Sequence, residues 1–175
     1  MAAAGDWLIR PVLRAEASAW RTLRAEMLQN HPTAFSSAYE DFVRLRPAAV
    51  AARIPEPGGA DVLLGVYLDG VLSGSAGFAR EAGLKSQHQG TMWGVYLCPA
   101  LRGRGVGEAL TAAVITHARA HVDLLLCAVS SDNLGAKALY LRMGFRAYGT
   151  RPRALRWGGR DYDEDLLMMD FTAPA

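Results

Sequence analysis

Apolar residues at helical spacing dominate the start of the chain. Over residues 15–30 they recur every three or four positions, and the stripe comprises Trp20, Leu23, Met27 and Leu28. A short strand is predicted before this helix, over residues 7–10. A second helix is predicted over residues 37–46, and Pro47 helps to end it because proline disfavours helical backbone in the residue before it.

The middle of the chain has the pattern of antiparallel strands. Two runs rich in β-favouring residues, 61–68 and 71–80, are separated only by Asp69-Gly70, a strong signal for a two-residue hairpin loop. A third strand is predicted over residues 89–97 and is closed by Pro99. We therefore expect these three strands to pair in antiparallel fashion.

The second half changes to a strand–helix–strand order. Helical spacing begins at Val106, and an apolar run at 124–129 suits a strand buried on both faces. Such a crossover is right-handed and joins parallel strands. A further helix should run from Asp132 or Asn133 to Met143. Two last strands, 146–155 and 163–171, are divided by Gly158-Gly159, so the predicted class is α/β (α+β mixed), a mixed sheet flanked by helices.

Composition excludes several classes of protein. The 175 residues suit one domain, and 51% apolar with 21% charged residues is too apolar for disorder and too interrupted by charge for a membrane span. The net charge of +2 gives no electrostatic argument for nucleic acid. No secretory signal is visible, so a cytoplasmic location is expected. Cys98 and Cys127 are expected to be free thiols, and no metal-ligand spacing occurs.

The turn over residues 102–107 carries the clearest chemistry. Its three glycines lie between a predicted strand and a predicted helix, where unpaired backbone amides and the helix dipole favour phosphate. Arg102 and Arg104 add positive charge. The Walker pattern is absent, and the dinucleotide fingerprint would need glycine where Glu108 stands. A glycine-rich turn that serves packing alone is the remaining alternative.

Two sequence blocks resemble the GNAT superfamily of N-acetyltransferases. Residues 95–107 fit its acetyl-coenzyme A motif, [RQ]xxGx[GA] after a strand that ends in a Val-like residue, a variable residue and proline. Residues 133–140, with Gly144-Phe145 behind them, are similar to the next family motif at the expected distance. The resemblance implies one N-acetyltransferase domain over residues 1–175. It also implies a mixed, mostly antiparallel, splayed sheet of about seven strands, with about four helices.

The resemblance implies acetyl-coenzyme A (acetyl-CoA) as cofactor, bound between the fourth and fifth strands. Residues 102–107 would cradle the pyrophosphate, the main chain of Tyr96 and Leu97 would meet the pantetheine arm, and Asn133 and Tyr140 would face that arm. The full expected set is Val95, Tyr96, Leu97, Arg102, Gly103, Arg104, Gly105, Val106, Gly107, Glu108, Asn133, Ala136 and Tyr140.

The implied reaction is direct attack of a primary amine, on a small molecule or a protein, on the thioester. A backbone N–H near Tyr96 or Leu97 would stabilise the oxyanion, and Tyr140 would protonate the leaving thiolate. In many family members a glutamate on the fourth strand acts as the general base. The corresponding positions here are Met92, Trp93 and Gly94, and none of them carries a carboxylate. The candidates for the base are therefore Glu40, Glu164, His88 or a water chain.

The resemblance places the acceptor pocket between the first two helices and the loop that joins the last strands, and the candidate wall residues are Phe35, Tyr39, Trp93, Trp157 and Tyr162. The acidic residues at 161 and 163–165 either attract a cationic amine or form a solvated hairpin. Homodimers are common in the family, whereas no nucleic-acid or membrane partner is expected. The missing fourth-strand glutamate keeps one alternative open, a coenzyme A binding module without catalytic activity.

Overall fold

A single mixed sheet organises the part of the chain that this computed structural model describes, residues 6–173. The strand order is β1-β2-β3-β4-β5-β7-β6, and β4–β5 is the parallel pair. The strands are β1 Trp7–Pro11, β2 Val62–Leu68, β3 Val71–Arg80, β4 Gln89–Leu97, β5 Leu124–Ser130, β6 Arg146–Trp157 and β7 Arg160–Asp170. The helices are α1 Ala17–Asn30, α2 Tyr39–Val43, α3 Pro47–Ala51, α4 Val106–Arg119 and α5 Leu134–Arg142. Short 3-10 turns occupy Arg14–Glu16 and Pro99–Leu101.

The hairpin between β2 and β3 forms where the sequence predicts it. Asp69 and Gly70 both adopt positive φ, 50° and 81°, as a two-residue turn that matches the twist of the strands requires. The predicted strand–helix–strand order is also found, because α4 connects the parallel strands β4 and β5. The mixed, mostly antiparallel seven-stranded sheet is confirmed.

The parallel pair separates soon after it begins. It runs only from Gln89 opposite Leu124 to Thr91 opposite Leu126. Beyond this point β4 contains a bulge opposite Ser75–Gly77, and Gly94 lies in it with a φ of +63°. Among the described strands, none pairs with the carboxyl half of β4 on its β5 side, and the predicted splay of the sheet lies here.

Two apolar cores cover the two faces of the sheet. One contains α4 and α5 side chains, including the fully buried Leu110 and Val114. The other contains α1, α2 and α3 side chains, including Trp20 and Met27. The side chains of β2 alternate between the two cores, which buries this antiparallel strand on both faces. No helix within residues 6–173 is long and apolar enough to cross a membrane.

The predicted second helix needed correction. Instead of one helix over residues 37–46, α2 ends at Val43 and α3 begins at Pro47, so the described residues form five α-helices rather than about four. Proline suits the first helical position because its fixed φ is already helical and its missing N–H is not needed there. The final hairpin is also longer than predicted, since β6 reaches Trp157 and β7 starts at Arg160.

A partly exposed ion pair, Arg10–Glu16, connects β1 and the 3-10 turn after it to Tyr67 of β2. The Glu16 carboxylate accepts hydrogen bonds from Arg10 at 2.7 and 2.8 Å, from the Tyr67 hydroxyl at 3.0 Å and from the Leu13 N–H at 3.0 Å. The hydrogen bonds from Arg10 are the largest cause that lowers the pKa of Glu16 from 4.5 to about 2. The ionised carboxylate is thus favoured in the folded state.

We predict that Glu16→Gln lowers the free energy of unfolding at pH 7 by about 1 kcal/mol, a value discounted for solvent screening. Because the folded pKa is depressed, the contribution is complete above pH 4.5 and is lost as the pH falls towards 2. Urea denaturation of wild type and Glu16→Gln between pH 7 and pH 3 measures whether their free energies of unfolding converge as the pH falls. The control is Glu56→Gln, since Glu56 pairs with Arg14 at an exposed position and its loss should change stability by less than about 0.5 kcal/mol.

Candidate active site

A cleft of about 940 Å³ lies where β4 and β5 diverge. It is bounded by the end of β4, the turn over residues 102–107, and the first turns of α4 and α5. The structure brings most of the predicted cofactor residues to it, namely Val95, Tyr96, Leu97, Arg102, Gly103, Gly105, Gly107, Glu108, Asn133, Ala136 and Tyr140. Val106 instead is fully buried in the core, and Arg104 does not line the cleft but donates to the Ala100 carbonyl at 3.4 Å.

The glycine turn presents bare backbone to this cleft. Gly103 and Gly105 have φ values of +70° and +76°, and a Cβ built on either would meet nothing within 4 Å. Gly105 caps α4, and its carbonyl accepts from the Ala109 N–H at 3.0 Å. The amides of the first helical turn therefore have no acceptor within the helix. Together with the positive end of the helix dipole, they fit a pyrophosphate.

Arg102 is held beside this turn. Its Nε donates to the Leu97 carbonyl at 3.1 Å, and its Nη2 lies 3.1 Å from Nε2 of His31. Burial, and then the charge of Arg102, lowers the pKa of His31, which favours the neutral ring that can accept a hydrogen bond. Arg102 is thus an oriented cation at the rim of the cleft.

The backbone of β4 offers the cleft a free edge. Cys98 N–H donates to the Ser73 carbonyl of the β3 side at 2.9 Å, whereas the carbonyl of Leu97 accepts from Arg102 on the opposite side. Because successive residues of a strand alternate direction, Tyr96 turns its backbone towards β3 and Leu97 turns its backbone towards the cleft. Of the two predicted oxyanion donors, only the N–H of Leu97 therefore faces the cleft.

Tyr140 lies on the α5 wall, and its side chain is 6% exposed. Its ring packs 5.8 Å from that of Phe145, and among the described residues its hydroxyl has no hydrogen-bond partner. Burial, and then the neighbouring Cys127, raises the pKa of Tyr140. The phenol therefore keeps its proton at neutral pH.

The side chain of Tyr96, for which the sequence predicted no role, connects β4 to α1. The hydroxyl donates to Glu26 of α1 at 2.6 Å, and burial together with this bond raises the pKa of Tyr96 to about 12. This contact anchors α1 to β4 on the face opposite α4. Sequence reasoning missed Glu26, which lies one position before the apolar residue Met27 and carries no motif.

A second cavity of about 540 Å³ adjoins the cleft, and Ala34 and Phe35 line both. Trp93 also lines this second cavity, and its indole lies so close over Gly77 that a Cβ there would be 2.1 Å from the ring. Tyr39 instead packs against the α1 core. Tyr162 and Trp157 lie on the final hairpin and line neither cavity. Of the five predicted wall residues, Phe35 and Trp93 therefore line the second cavity and the other three do not.

The three side chains predicted as base candidates lie far apart in the fold. Glu164 of β7 is buried on the wall of the second cavity and forms an ion pair with Arg151. Glu40 is exposed on α2 and lines neither cavity. His88 lies before the divergence, at the end of the sheet where its carbonyl accepts from the Asp123 and Leu124 amides.

Several polar residues of these cavities were not found from the sequence. They are His31, Ser130, Asp132 and Arg142 at the cleft, and Arg24, Ser37, Arg53 and Arg151 at the second cavity. Only Arg24 carried a usable signal, because it follows Trp20 by one helical turn and precedes Leu28 by another. A charged residue in an apolar stripe is unusual enough to mark a site.

The arrangement of cleft and turn agrees with comparisons to known proteins. The profile described as the Acetyltransferase (GNAT) family matches residues 18–145. The chain belongs to this family. It is an N-acetyltransferase, and acetyl-CoA is its cofactor, which the cleft and the glycine turn fit.

One curated relative of this GNAT acetyltransferase is the N-alpha-acetyltransferase RimI of Mycobacterium tuberculosis. The two are 34% identical over 115 residues, which is 66% of this chain and 70% of that protein. Among solved structures, the GNAT acetyltransferase of Streptococcus pneumoniae has a TM-score of 0.81 at 20% identity, with 94% of this chain and 99% of that chain covered. The structure of yncA from Salmonella typhimurium with its cofactor acetyl-CoA has a TM-score of 0.79 at 22% identity, with 97% and 96% covered. These structures share the fold.

We predict that Gly105→Glu weakens coenzyme A binding by at least about tenfold, because it places bulk and negative charge where the phosphates should lie. The matched control is Gly58→Glu, since Gly58 also has a positive φ and open space around it but lies in the loop before β2. Both substitutions should cost about 1–2 kcal/mol of stability from the left-handed backbone. Isothermal calorimetry with coenzyme A separates the two, and equal affinities in both variants would contradict the placement.

Proposed function

We propose that this GNAT acetyltransferase transfers the acetyl group of acetyl-CoA to a primary amine by direct attack on the thioester. The observation that carries the proposal is the junction of two cavities at Phe35, one bordered by the glycine turn and the other by Trp93 and Glu164. Donor and acceptor can therefore enter separate spaces and meet beside β4. The acceptor is an amine of a small molecule or a protein, and the RimI relative supports the second.

Acetyl-CoA supplies an activated acetyl thioester when bound. Under this proposal the amides of the first α4 turn and the Arg102 guanidinium hold its pyrophosphate. Gly107 keeps the passage between β4 and α5 narrow but open, since a Cβ there would contact Leu97 and Leu139 at 3.5 and 3.6 Å. Asn133 serves mainly to cap α5, because its Oδ1 accepts from the Ala136 N–H at 3.2 Å.

The Leu97 N–H is the proposed donor to the carbonyl oxygen of the acetyl group. It faces the cleft beyond the point where β5 leaves β4, so no strand competes for it. A preorganised backbone donor of this kind stabilises developing negative charge without rearrangement.

Tyr140 is the proposed acid for the departing sulfur. Its proton is retained because burial raises the phenol pKa, and no described residue takes its hydrogen bond. A buried acid next to a newly formed thiolate can transfer its proton because the thiolate is itself poorly solvated there.

Glu164 is the proposed route by which the acceptor amine loses its proton, either directly or through water. It is the base candidate that lies on the wall of the second cavity, and Arg151 fixes its carboxylate in place. Glu40 and His88 line neither cavity. That residues 1–175 form a single domain and that the protein forms a homodimer both remain predictions.

The proposed function is tested by following free thiol after mixing the protein with acetyl-CoA and a panel of primary amines and peptides. Acetyl transfer predicts amine-dependent thiol release above the rate without acceptor. That blank is needed because the partly exposed Cys98 can itself react with a thiol reagent. Tight coenzyme A binding with no release for any acceptor would reject the proposal in favour of a binding module.

We predict that Tyr140→Phe lowers kcat by about a hundredfold while the Kd for coenzyme A changes by less than about twofold, because only the acid is lost. The control is Tyr67→Phe, which removes a buried hydroxyl from the α1 side of the sheet, away from both cavities. Steady-state and binding measurements should show normal kcat for the control. An unchanged kcat for Tyr140→Phe would rule out its acid role.

A further inference from the structure

The second cavity contains a buried cation without an acidic partner. Arg24 of α1 is 8% exposed, and no carboxylate of the described residues lies within ion-pair distance of it. Its guanidinium makes only long contacts, 3.7 Å to the Met27 sulfur and 3.5 Å to the Ser37 hydroxyl, and lies 5.3 Å from the Phe35 ring centre. Such contacts replace little of the hydration that the charge has lost.

Arg21, one turn earlier on the same helix, is by comparison an arginine whose hydrogen bonds stabilise the fold. Its two Nη atoms each donate to a main-chain carbonyl at 2.7 Å, those of Leu45 and Val43, and so fasten α1 to α2 and the segment after it. Arg24 makes no comparable bond. The difference indicates that the donors of Arg24 are available to something other than the fold.

The remaining charges of the cavity strengthen this conclusion. Glu164 is occupied by Arg151, and the Asp61 carboxylate accepts from the Arg80 N–H at 2.8 Å. Arg53 also lines the cavity, and its charge, after burial, contributes to lowering the pKa of Arg24 to about 10. The wall thus has three arginines against two carboxylates, an excess of positive charge that favours an anion in the cavity.

A neighbouring donor is also unmatched. The indole Nε1 of Trp20, one turn before Arg24 and likewise at this cavity, is buried and has no hydrogen-bond partner within residues 6–173. Buried donors are normally satisfied by protein, water or ligand. Two unmatched donors on one helix face suit a ligand with two acceptor oxygens.

We propose that Arg24 binds a carboxylate of the acceptor, so that the substrate class is small amines that carry a carboxylate, as amino acids do. The inference rests on the proposed function and narrows its acceptor. The Arg24 Nη1 lies 3.3 Å from where a Cβ of Gly94 would be, so the guanidinium lies against the bulge of β4. A carboxylate bound there directs the amine towards Phe35 and the cleft. The 540 Å³ of the cavity suit a small molecule.

The test compares matched acceptors that differ only in the carboxylate: alanine, leucine and phenylalanine, the α-amide of each, and a short peptide with an amidated carboxyl end. Wild-type kcat/KM should be at least about tenfold higher for each amino acid than for its amide, as expected for a charge-assisted bond. Arg24→Met should remove this preference by lowering the amino-acid values alone. Arg24→Lys should retain part of it, because it keeps the charge but not the planar fork.

The control variant is Arg44→Met, which removes the same charge from an exposed position that lines neither cavity. It should behave as wild type. Coenzyme A affinity and circular dichroism of each variant report the fold independently of the acceptor. Equal wild-type activity on acids and amides, a better rate on the amidated peptide, or an equal loss for both acceptor types in a folded Arg24→Met would each overturn the inference.

A binding measurement separates this inference from the proposed function. Calorimetry with N-acetylphenylalanine and its amide, titrated into the coenzyme A complex, should detect the acid alone, and Arg24→Met should abolish that signal. Carboxylate-dependent binding without turnover of any amine would reject the proposed function and support the inference. Turnover at equal rates on the acid and the amide would support the proposed function and reject the inference.

Discussion

The separation of β4 from β5 after Thr91 governs this structure. A strand interior normally satisfies its backbone on both sides, and unpaired buried amides are costly. Here the carboxyl half of β4 has β3 on one side and a cleft on the other, so the Leu97 edge and the first turn of α4 present polar backbone to the same space. The free edge of β4 and the start of α4 border the same cleft because only residues 98–105 separate them in the chain. One interruption of pairing thus creates both the proposed phosphate cradle and the proposed reaction edge.

Local sequence rules account for this convergence well. Asp69-Gly70, the apolar run of β5 and the glycine turn each specify their conformation within a few residues, and the structure places them as predicted. Pro47 was misread because the same residue that disfavours helix before it also starts helix after it. The extent of the last hairpin was misjudged because Arg156 and Asp161 pair across its end, a contact that periodicity does not encode.

The cofactor side was more predictable than the acceptor side for a physical reason. The proposed pyrophosphate site consists of backbone, whose geometry follows from glycine spacing, whereas the proposed acceptor site consists of side chains from segments distant in sequence. Arg24 of α1, Trp93 of β4 and Glu164 in the middle of β7 meet because all three line the second cavity. Aromatic identity alone could not distinguish Trp93 from Tyr162, and neither residue is marked by its neighbours. The Tyr96–Glu26 bond shows the same difficulty, since its partners are 70 residues apart.

The absence of a glutamate base on β4 should slow acetyl transfer less in this cavity than it would in an acidic cavity. A base is needed only to the extent that the acceptor arrives protonated, and nearby cations lower the pKa of an amine. The cavity is lined by three arginines, Arg24, Arg53 and Arg151, and by two carboxylates, Glu164 and Asp61, so its walls carry one positive charge in excess. A carboxylate on Arg24 would cancel that excess, and the walls would still hold no net negative charge that favours the ammonium form. Transfer of the remaining proton then needs only a weak acceptor, which a carboxylate in an ion pair or a water beside it can provide.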